Sequence, residues 1–213
     1  MEQTPVETNN EAEARLLESA LNLFAEKGYE GTSIREIIEG AGVTRPVLYY
    51  YFHNKEDVFR RLVEPLFTEL IKAISEIPQH YAETVGRLKA IMRLAFSTAE
   101  RNPLSIRLIL QMYFSPPQSG PEFDKDEFRK TRFLTVERII QEGLDSGELA
   151  GGDARSLTLV FIGTLDTHIM AKSQMPGIHL TPELADGLVD LFFFGACYKE
   201  NPPTSLVSPF FYT

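Results

Sequence analysis

Cysteine is almost missing from this chain: Cys197 stands alone, so no internal disulfide can form and a reducing compartment suits the composition. Long apolar runs are missing too. The richest, VDLFFFGAC at 189–197, falls far short of the roughly 20 residues a membrane span needs. The opening MEQTPVETNNEAEAR is polar and acidic and holds no hydrophobic segment of the kind that directs secretion. Basic residues are outnumbered, 21 Lys and Arg against 30 Asp and Glu, for a formal net charge of −9. The four histidines, His53, His80, His168 and His179, show no metal-ligand spacing. A glycine-rich phosphate loop, a Gly-x-Ser-x-Gly elbow and catalytically spaced carboxylate pairs are all absent. These absences argue against a membrane protein, a metalloprotein and an enzyme. The expectation is a cytoplasmic protein that needs no cofactor.

What is present is helical periodicity. Apolar residues recur at three- and four-residue spacing in nearly every segment, and no segment alternates, which predicts an all-α fold of about nine helices. A hydrophobic fraction of 43% suffices for a sizeable core. The first helix is expected from about Glu11 to Lys27, with Leu17, Ala20, Leu21 and Phe24 on one face and Gly28 as its stop. Ser33 can cap a second, short helix carrying Ile34, Ile37 and Ile38, which GAGV (40–43) breaks. Thr44 can cap a third. Pro46 in its first turn does no harm, because the amide it lacks has no intrahelical partner there. Asn54 and Asp57 resemble a capping box opening a fourth helix, which contains Pro65. Longer helices follow over about 82–101, Pro103–Phe114, 122–146, 153–173 and 181–198.

Two short helices joined by a glycine turn form a helix-turn-helix, in which the second helix enters the DNA major groove. The apolar pattern turns Ile37, Ala41, Val43 and Leu48 inward and leaves Arg45, Pro46, Tyr49 and Tyr50 outward. An arginine can pair bidentately with guanine, and proline or tyrosine can press on thymine methyls.

The segment TSIREIIEGAGVTRPVLYYYFHNKEDVF (32–59) resembles the DNA-binding segment of the TetR family of bacterial transcriptional regulators. The resemblance covers about a quarter of the chain and implies a helix-turn-helix DNA-binding domain at 1–57. A larger helical effector-binding and dimerisation domain is implied at 58–213. It makes Thr32 and Ser33 phosphate-contacting hydroxyls and gives Arg35 a reach to bases or phosphate. Thr44, Arg45, Pro46 and Val47 become the base-reading turn, Tyr49 and Tyr50 touch phosphate or sugar, and Lys55 holds phosphate. A lysine at a helix amino terminus combines its charge with free backbone amides, both of which attract phosphate, and this supports the last assignment independently. Two departures stand out: Ile38 where the family usually has alanine, and Gly40, which weakens the end of the second helix.

Within the amino-terminal 61 residues the negative charge lies upstream of this segment. Residues 31–61 carry five basic groups (Arg35, Arg45, Lys55, Arg60, Arg61) against four acidic ones (Glu36, Glu39, Glu56, Asp57), a net of +1. Binding is governed by this local face, while the surrounding negative field should weaken non-specific attraction, so the protein should discriminate well and hold random DNA poorly.

One short recognition helix reads few base pairs, so a two-fold dimer on a palindromic operator is expected. The last two long helices (about 153–173 and 181–198) are the candidate interface, since they mix Gly163, Thr164, Thr167, Ala171, Gly187, Gly195 and Ala196 with larger apolar residues. Alternatively, those stripes fill the monomer core. The resemblance implies a pocket for a small-molecule effector, with Phe96, Met112, Tyr113, Phe133 and Phe161 as lining. Such aromatic lining suggests a hydrophobic effector. Asp166 and His168 either touch ligand, make a dimer hydrogen bond or face solvent. Pro65 is either a hinge or a static kink. RKTR (129–132) reads as a solvated helix face, and Cys197 as a small packed apolar group. Steric occlusion of a promoter demands no further contact surface, so a repressor released by its effector is expected. The competing reading is a helical small-molecule-binding or interaction protein whose DNA module has lapsed.

Overall fold

The computed structural model describes residues 5–114, 125–175 and 177–194. All its regular elements there are helices: α1 (Pro5–Lys27), α2 (Ile34–Ala41), α3 (Arg45–Tyr51), α4 (Lys55–His80), α5 (Thr84–Arg101), α6 (Pro103–Phe114), α7 (Lys125–Ser146), α8 (Ala154–Gln174) and α9 (Pro182–Phe194). The chain divides into two compact units, Met1–Ile71 with Asn102–Phe128, and Lys72–Arg101 with Arg129–Thr213.

In the first unit α1 begins earlier than its apolar pattern suggested. Its buried stripe is Ala12, Leu16, Ala20 and Phe24, spaced one turn apart. Leu17 and Leu21 fall half-buried at its margin. Gly28 (φ +75°) ends α1 and donates its amide to the Phe24 carbonyl. Ser33 caps α2 reciprocally: its hydroxyl accepts from the Glu36 amide, and the Glu36 carboxylate accepts from the Ser33 amide. Gly42 (φ +62°) ends α2, its amide donating to the Glu39 carbonyl while Val43 donates to Ile38. Pro46 sits in the first turn of α3, and Thr44 is its N-cap residue without a side-chain hydrogen bond. Asn54 accepts from the Asp57 amide at 2.8 Å as α4 begins. That helix continues without interruption past Pro65.

The core of this unit joins Leu16, Phe24, Ile37, Leu48, Phe52, Val58 and Phe59, each fully buried or nearly so. Each contributes about 1.5–3 kcal/mol relative to exposure. α6 belongs to this unit, burying Ile106, Leu108 and Ile109, and Gln111 Nε2 donates to the Ala25 carbonyl on α1.

In the second unit α5 buries Leu88, Ile91, Met92 and Phe96, α7 buries Val136, Ile139 and Ile140, and α9 buries Ala185 and Val189. α8 buries Ala154, Thr158, Phe161, Leu165 and Ile169, a stripe at helical spacing. Ion pairs knit α5 to α9 in antiparallel register: Lys89 with Asp190 at 2.6 Å, and Arg93 with Asp186 one turn along each helix. Glu100 accepts from the Leu180 amide and pairs with Lys172 on α8. No described helix is long and apolar enough to cross a membrane.

Candidate nucleic-acid interface

The turn between α2 and α3 is closed by burial on one side only. Ile37 and Leu48 are fully buried and Ala41 nearly so, while Val43 is half-buried. That fixes the roll of α3 and leaves Thr44, Arg45, Pro46, Tyr49 and Tyr50 exposed, with Val47 half-buried at the edge. Tyr49 is 45% and Tyr50 70% accessible, and the Tyr50 ring meets Tyr51 edge-on at 4.9 Å between ring centres. The Arg45 guanidinium lies over the Tyr49 ring at 5.6 Å and its Nη2 reaches the Tyr49 hydroxyl at 3.5 Å. It forms no ion pair among the described residues. Its fork is therefore braced by an aromatic face and still free of a carboxylate.

Arg35 differs. Its Nε donates to Glu39 at 2.7 Å, both side chains lie largely in solvent, and the Glu39 carboxylate holds the arginine's pKa above its ordinary value. Ser33 is exposed, its hydroxyl shared with the Glu36 carboxylate at 2.8 Å. Thr32 is not at the surface. It is 2% accessible, and its hydroxyl donates to the Gly28 carbonyl, which makes it a closure of the α1–α2 turn. The Lys55 ammonium is half-buried and donates to the carbonyls of Tyr29 (2.8 Å) and Thr32 (3.0 Å), 4.2 Å from the centre of the Tyr29 ring.

Three participants went unnoticed in the sequence. Lys27 donates to Glu36 at 2.8 Å; with the Ser33 hydrogen bonds this holds the Glu36 carboxyl down to about 2. The Ser33-x-x-Glu36 spacing was the available signal. Ser19 donates to the Ile37 carbonyl at 3.0 Å, and a Cβ on Gly40 would lie 2.3 Å from that same hydroxyl. Gly40 is thus a close approach of α2 to α1 within an unbroken helix. Tyr29 packs against Phe24 and Phe59, at 5.6 and 5.4 Å between ring centres.

Of the effector-lining candidates, Phe96 and Phe161 are buried and Phe133 half-buried. The structure brings Phe96 beside His168 (6.1 Å) but sets Phe161 against Phe192 (6.0 Å). His168 Nδ1 donates to the Thr164 carbonyl at 2.7 Å. Asp166 takes a two-pronged bond from Arg132, at 2.7 and 2.8 Å, so RKTR is not uniformly a solvated face: Arg129 and Lys130 are exposed, Arg132 is half-buried. The side chains of Met112 and Tyr113, and the backbone of Gly195, Ala196, Cys197 and 201–213, lie outside the described residues. Among the described residues no three His, Cys, Asp or Glu gather as metal ligands.

Residues 16–62, which span this helix-turn-helix and its support, match the family described as bacterial regulatory proteins, tetR family. The chain belongs to the TetR family. Over 194 residues, 90% of this chain and 96% of the other, it is 27% identical to the HTH-type transcriptional repressor KstR2 of Mycobacterium tuberculosis. Its fold matches the regulator FadR of Bacillus subtilis in complex with stearoyl-CoA, with TM-score 0.68 and 24% identity over 85% of this chain and 98% of that one. It likewise matches AibR in complex with isovaleryl coenzyme A and operator DNA, with TM-score 0.67 and 24% identity over 85% and 98%. As a TetR-family chain it is a DNA-binding transcriptional regulator, and the all-α fold with its amino-terminal helix-turn-helix is the family's own.

Proposed function

We propose that this TetR-family chain is a cytoplasmic homodimeric repressor, without catalytic activity, that binds a palindromic operator and is released by a small effector. The observation that carries the reading is the exposed face of α3: Arg45, Pro46, Tyr49 and Tyr50 stand clear of solvent-excluding neighbours while Leu48 pins the helix from behind. Arg45 reads base edges, with Thr44, Pro46 and Val47 in the same turn. Tyr49 and Tyr50 lie along sugar and phosphate, and Ser33 and Arg35 contact the flanking strand. Thr32 supports that contact from beneath.

Dimerisation through α8 and α9 is supported by the side of α8 opposite its buried stripe. Leu159 and Val160 are 59% and 57% accessible, and among the described residues no atom beyond its own stretch of helix lies within 4 Å of a Cβ built on Gly163. A helix-interior glycine costs about 0.5–1 kcal/mol against alanine, and nothing among the described residues requires it there; a second backbone would. For the effector we infer a coenzyme A thioester, because two solved structures of this fold hold one.

Selection of bound duplexes from random DNA tests the reading. A palindrome should emerge whose half-site centres are one helical turn or a multiple apart, Arg45→Ala should lose the preference at one position per half-site, and stearoyl-CoA or isovaleryl-CoA should release the duplex. Failure of the unmodified protein to enrich any sequence removes the regulator reading. Release by neither thioester removes only the effector class.

A further inference from the structure

We infer that Lys55 serves DNA binding as a positioning residue: its ammonium is an internal clamp that ties the α1–α2 turn to the first turn of α4, rather than a phosphate ligand. This rests on the DNA-binding reading above. An ammonium has three N–H donors. Two are spent on the Tyr29 and Thr32 carbonyls, and the charge sits against the Tyr29 ring. One N–H is left over; swinging the ammonium out to grip a phosphate would strip two charge-assisted hydrogen bonds from a half-buried group and leave two carbonyls of a tight turn without their donor.

The surroundings show what is held. Lys55 and Phe59 lie one turn apart on α4 and both touch Tyr29, the lysine through its ammonium and Phe59 edge-on at 5.4 Å. Tyr29 also leans on Phe24 near the end of α1. The turn is cross-braced from within, since Thr32 donates its amide to the Tyr29 carbonyl and its hydroxyl to Gly28. Ser33, the next residue, is the N-cap of α2. The carbonyl gripped by Lys55 thus belongs to the peptide unit that leads into α2, and α2 sets the placement of α3 through the Gly42 turn. Positive charge near a helix amino terminus is unfavourable unless a partner compensates it. Here the two carbonyls and the ring are that compensation.

Phosphate contact and internal clamping predict different salt dependences. Losing a phosphate contact lowers the slope of log affinity against log salt by about 0.9. A lost clamp weakens binding with the slope intact. Lys55→Gln, Lys55→Arg and Tyr29→Leu are compared with the unmodified protein on a duplex that the latter enriches from random DNA. The expected result is affinity about tenfold lower for each, an unchanged slope, and faster amide exchange at Thr32–Ile37 in the DNA-free variants. Tyr29→Leu removes no charge, so its loss of affinity cannot come from a phosphate, and it carries the comparison if Lys55→Gln does not fold. Restoration of full affinity by Lys55→Arg, or a slope reduced by about 0.9 with exchange unaltered, overturns the clamp. Exchange is read without DNA, so if the unmodified protein binds no duplex the regulator reading falls by itself. Unaltered exchange in both Lys55 variants then overturns the clamp separately.

Discussion

Ser19 and Gly40 meet where α1 crosses α2: the Ser19 hydroxyl donates to the Ile37 carbonyl, and a Cβ on Gly40 would sit 2.3 Å from it. In most helices Gly→Ala gains about 0.5–1 kcal/mol. Here Gly40→Ala must either push α2 away or rotate Ser19 and break its hydrogen bond. The clash outweighs the propensity gain, for a net loss near 1 kcal/mol. Urea unfolding checks this, and Ser19→Ala in the same chain should recover part of the loss. Stabilisation by Gly40→Ala alone would show that α2 has room to move.

Arg35 and Glu39 neutralise each other on the face proposed to approach DNA. Glu39→Gln frees the guanidinium for phosphate. Binding to random-sequence duplexes should tighten, its salt slope should steepen by up to about 0.9, and stability should hardly move, since the pair is exposed. Titration at several salt concentrations checks it. An unchanged slope would place Arg35 away from the phosphates.

Acid should loosen the helix-turn-helix through Glu36. Its carboxyl titrates near 2 when folded against 4.5 ordinarily, because Lys27 and Ser33 donate to its charged form. A depressed carboxyl pKa contributes stability above the unfolded value, and that contribution disappears as pH falls from about 4.5 towards 2. Glu100 and Glu148 in the second unit are held below the ordinary range by backbone amides of Leu180 and Thr84 and act in the same direction. Unfolding midpoints between pH 5 and 2 should fall less steeply in Glu36→Gln than in the unmodified chain.

Gly163 faces open space among the described residues of one chain. Gly163→Leu should leave folding intact while preventing two α8 helices from approaching, and Val160→Glu should do the same by burying a charge at the interface. Sedimentation should show single chains for both, with operator affinity reduced at least tenfold through loss of the second half-site. Dimers of undiminished stability in Gly163→Leu would move the interface off this face.

The sequence carries the starts of α2, α3 and α4 most clearly. Ser33, Thr44 with Pro46, and Asn54 with Asp57 mark α2, α3 and α4 within a residue, since each signal is a local hydrogen-bonding or steric requirement. On α1, Ala20 and Phe24 are buried as the pattern predicts, but Leu16 takes the place expected of Leu17. Leu16 and Leu17 are both apolar, and only the neighbours across the core choose Leu16. Gly40 reads as a weak spot because its reason lies 21 residues away, at Ser19. Lys55 reads as a phosphate ligand for the same cause: its sequence neighbours describe a helix start, and the carbonyls that engage it come from residues 29 and 32. No local pattern at 103–114 says that α6 shares a core with α1.

That last placement limits how the protein can be taken apart. The face of α1 that carries Ala25 is completed by a helix encoded some eighty residues downstream, with Gln111 fastened to the Ala25 carbonyl. A fragment cut after the helix-turn-helix would expose apolar surface and lose that bond. Transplanting the DNA reader onto a foreign sensor therefore means carrying α6 with it, so its specificity is not a detachable cassette.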